Sequence, residues 1–192
     1  MTTSTRRHGE ELEAAIRAAV LDLVRERGAS AVTMEAVAAR ARTSKPVLYR
    51  RWPDRAALLR DALLAAATAA IPHADTGSYR GDMLAVLHGW ADAMTGELAP
   101  VLVAVVAATA EDPELAAAFR DGVIGWRKEE MGELIARAVA RGEVRPDVPV
   151  HLARELGQSL LWHRLLVSGD PIDDALVVEI VDEVLLPVVR AR

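Results

Sequence analysis

Between Thr33 and Trp52 the chain reads TMEAVAARARTSKPVLYRRW, and its reactive inventory is hydroxyls and cations rather than nucleophiles or metal ligands. Thr33, Thr43, Ser44 and Tyr49 carry O–H groups. Arg42, Lys45, Arg50 and Arg51 carry positive donors, Arg55 follows just beyond, and Pro46 and Val47 set compact apolar groups among them. Such a set suits a nucleic-acid duplex, where hydroxyls and cations hold phosphate oxygens and a few side chains reach base edges. Catalytic patterns are missing from the sequence. The five histidines (His8, His73, His88, His151, His163) form no HxxxH or HExxH pair, and no GxSxG elbow, phosphate loop or dinucleotide fingerprint occurs. The chain has no cysteine, which excludes thiolate chemistry, disulfides and thiolate metal sites. A small helical enzyme is therefore the weak alternative, and neither a catalytic residue, a metal site nor a cofactor is expected.

Two short helices must position these groups. Thr33 is a good N-cap, and Val37, Ala38 and Ala41 then recur at helical spacing to make one apolar face. Arg42 and Thr43 make the turn, with Thr43 able to cap the second helix. Pro46 falls in the opening turn of that helix, where a missing N–H loses no intrahelical bond. Leu48 and Trp52, four residues apart, share its buried face, and Ser44, Lys45, Val47, Tyr49, Arg50 and Arg51 point outward. The pattern is a helix-turn-helix whose second helix enters the major groove.

The run Thr33-x-x-x-Val37-Ala38 followed by Thr43-Ser44-Lys45-Pro46-Val47-Leu48-Tyr49-Arg50-Arg51-Trp52-Pro53-Asp54-Arg55-Ala56-Ala57-Leu58 resembles the signature of the TetR (tetracycline-repressor-like) family of bacterial regulators. The resemblance covers about the first third of the chain, in order and without a gap. It implies that Thr33, Ser44, Tyr49 and Arg51 hold phosphates, with Arg42 and Arg55 as additions, and that Lys45, Pro46, Val47 and Arg50 touch bases. One departure is visible: Arg42 stands where the family usually has glycine in the turn. If that residue must take positive φ, its side chain is mildly strained there.

Charge distribution agrees with a DNA-binding end. The net charge is −5, yet residues 1–60 hold 12 of the 23 Lys and Arg and only 7 of the 28 Asp and Glu. That is a surplus of about five positive charges on the first third and about ten negative on the rest. An architectural binder without sequence preference, the main alternative, would spread basic charge over the whole surface. Arg6 and Arg7 are candidates for a basic arm along the duplex. No run approaches the ~20 apolar residues of a membrane span, and the N-terminus has no apolar core of a secretory signal. The expectation is a cytoplasmic protein.

An all-α chain of about nine helices follows from the Ala- and Leu-rich composition and the punctuation. A DNA-binding domain is expected over residues 10–70, with its motif at 33–52, and a ligand-binding and dimerisation domain over 71–192. Helix 1 runs from about Glu10 to Arg27, and Gly28 ends it. Asp112-Pro113 opens a long helix reaching Arg141, and Asp173 caps the last one, which Pro187 bends. The final two helices carry more apolar surface than one core face needs. From this, Leu152, Leu156, Leu160, Val177, Ile180, Val181, Val184 and Val188 are expected at a homodimer interface, as the resemblance also implies. A dimer places two reading helices about one DNA turn, ~34 Å, apart on a palindromic operator.

The resemblance further implies a pocket for a small effector. Candidate lining residues are His88, Trp90, Met94, Phe119, Trp126, Glu130, Trp162 and His163, a set suited to an apolar or aromatic ligand. Glu130, between Trp126 and Leu134, serves either a cationic ligand or an ion pair with Arg127 or another arginine. Repression relieved by such a ligand is the expected mode.

Overall fold

The computed structural model describes residues 3–190, and every regular element among them is helical. The side chains of Arg6 and Arg7 lie outside the described residues. Counting contiguous helical segments as one, there are nine helices among the described residues. The chain divides into two compact units. The first comprises the residues up to Ala67 together with Pro100–Ile124; the second comprises Thr68–Ala99 and Gly125–Arg192. The segment 100–124 packs with the N-terminal residues, so each compact unit is built from two stretches of chain.

In the first unit α1 (Thr3–Arg27) starts well before Glu10 and ends at Gly28, whose φ of 81° lies in the left-handed region. Its face of Ile16, Ala19, Val20, Leu23 and Val24 is buried, as the spacing requires. A short 3-10 turn (Ala29–Ala31) leads to α2 (Met34–Arg40) and α3 (Lys45–Tyr49). With only five residues, α3 is far below the length at which an isolated helix holds in water. Burial holds it instead: Leu48 is fully buried and Trp52 nearly so. Burying Leu48 contributes about 2 kcal/mol. Most of α4 (Arg55–Ala70) follows, with Leu58, Leu59 and Leu63 inward. The rest of α6 after Ala99 (α6, Ala99–Ala108) and α7 (Pro113–Phe119) complete the unit through Val101, Val105 and Leu115.

The second unit is organised on α5 (Tyr79–Thr95), which packs against α8 (Gly125–Ala140) and α9 (Val150–His163) and against the last helix. Gly157 on α9 makes a close approach possible, since a Cβ there would come within 3.1 Å of Leu185 and 3.2 Å of Leu87. Two long helices read as regular from sequence contain wide i→i+5 turns, at Arg120–Ile124 and at Ile180–Leu185. The second lies between α10 (Asp174–Glu179) and α11 (Leu186–Val189).

That wide turn corrects the expected dimer face. Residues spaced by four drift around a regular α-helix, so Val177, Val181, Leu185 and Val189 would not share one side. An i→i+5 turn takes up the drift, and all four point inward with none of their surface exposed. Val177, Ile180 and Val181 are therefore core of their own chain rather than interface. Pro187 follows directly after the Leu186 N–H has reached the Val181 carbonyl, where the widened turn relieves the clash a proline ring makes with the carbonyl four residues back. No helix among the described residues is long and apolar enough by itself to cross a membrane.

Candidate nucleic-acid interface and the second-unit cavity

Local capping builds the reading surface. Thr33 is the N-cap of α2, extended at φ −117° and ψ 157°, and its Oγ1 accepts the Ala36 N–H at 3.1 Å. At the other end the Thr43 N–H reaches the Ala38 carbonyl at 2.9 Å and the Arg42 N–H reaches Ala39 at 3.3 Å. These two bonds are a Schellman motif, with Arg42 at the position that glycine usually fills. Arg42 has φ 53°, the one positive value at a non-glycine among the described residues. The strain anticipated from the missing glycine is present. Ser44, not Thr43, is the N-cap of α3, and no helix N–H takes up its hydroxyl.

The exposed face of this motif holds Arg42, Ser44, Lys45, Pro46, Tyr49 and Arg50, with Val47 half-buried. Tyr49 is half exposed. Among the described residues Arg42 and Arg50 have no carboxylate partner. Lys45 Nζ meets Glu35 Oε1 at 2.6 Å, and the Glu35 carboxyl is held below its ordinary range by that bond. Both groups are open to water, so the pair is weak and exchangeable.

Two expected contacts are instead braces. Arg51 Nε donates to Glu13 Oε1 at 2.6 Å on α1. Arg55 Nε donates to the Val32 carbonyl at 2.7 Å, and one terminal nitrogen donates to Ala29 O at 3.0 Å and to Asp112 Oδ2 at 2.8 Å. A guanidinium so occupied is a structural clip, which corrects its reading as a phosphate contact. Asp112 is also the N-cap of α7, accepting the Leu115 N–H at 2.9 Å. The Arg55 bond, and then the Leu115 N–H, hold its carboxyl below the usual aspartate range. Asp61 plays a matching part on α4: it accepts Trp52 Nε1–H at 3.1 Å and Arg17 Nε–H at 2.8 Å. The tail of α3 is thereby pinned to α1 and α4. Asp61 is not distinguishable in the sequence from any other surface acid and was missed; Asp112 was read as the cap of its helix, but its bond to Arg55 was not foreseen.

In the second unit, Trp126 and Glu130 line a cavity of about 10 Å³ together with Ile71, Val86, Arg127 and Arg137. The other candidates do not gather there. Trp90 and Met94 are buried, and Trp90 packs on Trp162 with ring centroids 6.4 Å apart. His88 bonds the Leu84 carbonyl at 2.8 Å and faces Asp174 at 3.5 Å. His163 is exposed, and Phe119 belongs to the first unit. Glu130 does not pair with Arg127; its Oε2 lies 2.6 Å from His73 Nδ1. The sequence pointed to the aromatic members of this region because Trp is rare, and passed over Arg127 because its burial is a tertiary property.

Comparison with known proteins places both parts. Residues 16–62 match the model described as bacterial regulatory proteins, tetR family. Residues 73–184 match the tetracyclin repressor-like C-terminal domain. The DNA-binding transcriptional repressor TetR of Mycobacteroides abscessus is 34% identical over 186 residues, covering 95% of this chain and 96% of that protein. The HTH-type transcriptional regulator YdeS of Bacillus subtilis is 30% identical over 167 residues, covering 87% and 84%. Among solved structures, a TetR family transcription regulator superposes with a TM-score of 0.76 at 32% identity, covering 94% of this chain and all of that one. The flavonoid-responsive regulator FrrA shares the fold, with a TM-score of 0.68 at 21% identity over 95% and 99% of the two chains.

Proposed function

The chain belongs to the TetR family of DNA-binding transcriptional regulators, and from that premise we propose that it represses by binding a palindromic operator as a homodimer and lets go when a small molecule enters its second unit. The observation that carries the DNA side of this reading is the pair of exposed, unpartnered arginines, Arg42 and Arg50, flanking the free Ser44 hydroxyl and the half-exposed Tyr49. Arg42, Ser44 and Tyr49 take phosphates, Lys45 exchanges Glu35 for DNA, and Pro46, Val47 and Arg50 lie toward the bases. Thr33 and Thr43 serve the turn, and Arg51 and Arg55 keep the motif rigid.

For the homodimer, Leu152, Leu156 and Leu160 recur every fourth residue on α9; Leu152 is 56% exposed and Leu160 36%. Val188 on α11 is exposed as well, and Val184 is half-buried. Uncovered apolar side chains on neighbouring helices are what an interface leaves when its second copy is removed. The paired substitution Leu152→Glu with Leu160→Glu gives a monomer in sedimentation velocity and loses operator affinity.

The primary test is selection of genomic fragments by the purified protein at two salt concentrations. A palindrome retained at the higher salt supports the reading; retention without a shared motif overturns it in favour of architectural binding. On that operator, Arg42→Ala lowers the slope of log affinity against log salt by about one per protomer, Arg50→Ala relaxes specificity at one position in each half-site, and Arg51→Ala acts through stability and leaves the slope alone.

A further inference from the structure

The second unit contains two buried charges, and only one is satisfied. Asp82, with no exposed surface, accepts the Thr76 N–H at 2.6 Å and the Thr76 hydroxyl at 2.7 Å, and Arg141 stands 3.4 Å away. Arg127 is 95% buried by its relative exposure of 5%. Its Nε has no partner, and among the described residues no hydrogen bond or ion pair reaches its guanidinium. The π-face of Trp90, 6.0 Å away, is its main compensation. Burial draws its pKa down to about 10, with Glu130 opposing that shift, so the group still carries its charge at neutral pH. A buried cation with no direct counter-ion, only the longer-range attraction of Glu130, is costly. The cost persists usefully where something that binds supplies the anion.

Arg127 borders the cavity described above, which leads to a chemical class. We infer that the cavity beside Arg127 is the anion-binding end of the effector site, and that its ligand is a monocarboxylate with an apolar or aromatic body. This rests on the reading of the second unit as the small-molecule domain. Three observations select the class. The guanidinium fork matches a planar carboxylate in two parallel bonds, and the unpartnered Nε–H is one of the donors such a pair uses. Of the charged side chains lining the cavity, Arg137 faces Asp75 at 3.8 Å and Glu130 meets His73 at 2.6 Å, which leaves Arg127 as the one without a direct ion-pair partner, a single positive charge that one negative charge neutralises and a dianion overshoots. The remaining wall is apolar, with Ile71, Val86 and Trp126. At about 10 Å³ the space holds at most one water. Ligand entry therefore widens it, and the part-exposed Trp126 is the side chain free to yield. This reverses the cationic-ligand option for Glu130, whose carboxylate is turned to His73.

The experiment titrates the full-length protein with acetate, benzoate, phenylacetate and decanoate, each against its uncharged primary amide, following tryptophan fluorescence and binding heat. At least one carboxylate binds saturably, roughly ten- to a hundredfold tighter than its amide. Arg127→Met abolishes that preference, while circular dichroism shows the variant folded; Arg127→Lys, which keeps the charge without the fork, retains part of it. Equal binding of every acid and amide, no binding by any of the acids, or an undiminished preference in Arg127→Met overturns the inference. Operator release is measured separately. Carboxylate binding without release would keep this inference and count against ligand-relieved repression; release by a neutral molecule only would do the reverse.

Discussion

Two arginines, one in each compact unit, show opposite ways of placing a cation inside a protein. Arg55 in the first unit is surrounded by acceptors: two backbone carbonyls at 2.7 and 3.0 Å and a carboxylate at 2.8 Å. Arg127 in the second is more deeply buried and has an aromatic face and the longer-range attraction of Glu130, but no hydrogen-bonded acceptor among the described residues. The first arrangement is finished, so its charge stabilises the fold and contacts nothing outside. The second is unfinished, and an incomplete buried charge is where a partner from solution has most to gain. A reading head needs rigidity to present α3; a responding body needs a state that a ligand improves.

Removing the two guanidiniums therefore affects stability differently. Arg55→Met lowers stability of the first unit by about 2–4 kcal/mol, because two carbonyls and Asp112 lose their donor together. Urea unfolding reads this, and operator affinity falls with it. The same pair sets an acid limit. Asp112 has a folded pKa below its unfolded one, so its contribution is complete above the ordinary aspartate range and disappears as pH falls through the lower folded value. Unfolding curves from pH 6 down to pH 2 display that limb in the parent and a smaller one in Arg55→Met.

Arg127→Met, by contrast, leaves stability unchanged or raises it by about 1–3 kcal/mol at neutral pH. A clear loss in the same measurement would mean that Arg127 is as finished as Arg55. Tyr79→Phe sharpens the comparison at smaller scale. The Tyr79 hydroxyl is buried without a partner and burial pushes its pKa up to about 12, so deleting the oxygen gains about 1 kcal/mol in thermal unfolding. Smallest is Arg42→Gly, which relieves the positive φ and adds about 0.5–1 kcal/mol to stability while weakening operator binding through the lost cation.

Much of the first unit was legible from sequence because its determinants are local. The Thr33 cap, the αL strain at Arg42 and the proline in the first turn of α3 act within about one helical turn, and the four-residue spacing of Leu48 and Trp52 marked the face that the rest of the unit buries. What spacing alone misassigned lies in longer-range geometry. Val177, Ile180 and Val181 looked like interface because two apolar stripes on a regular helix were assumed, whereas with the i→i+5 turn at Ile180–Leu185 all three lie in the core. Arg51 and Arg55 looked like phosphate contacts because cations after a reading helix usually face outward, yet Glu13 and Asp112 take them from 38 and 57 residues away.

The sequence by itself determined that the chain is helical, where the reading motif begins and turns, and which end carries positive charge. Those properties follow from backbone preference, capping and composition, which neighbours in sequence decide. Only the tertiary structure decided which arginines are occupied, which apolar residues are core, and that Arg127 is buried without a counter-ion. Those outcomes depend on what distant residues bring to within 3–4 Å of a side chain, where desolvation and hydrogen bonding act.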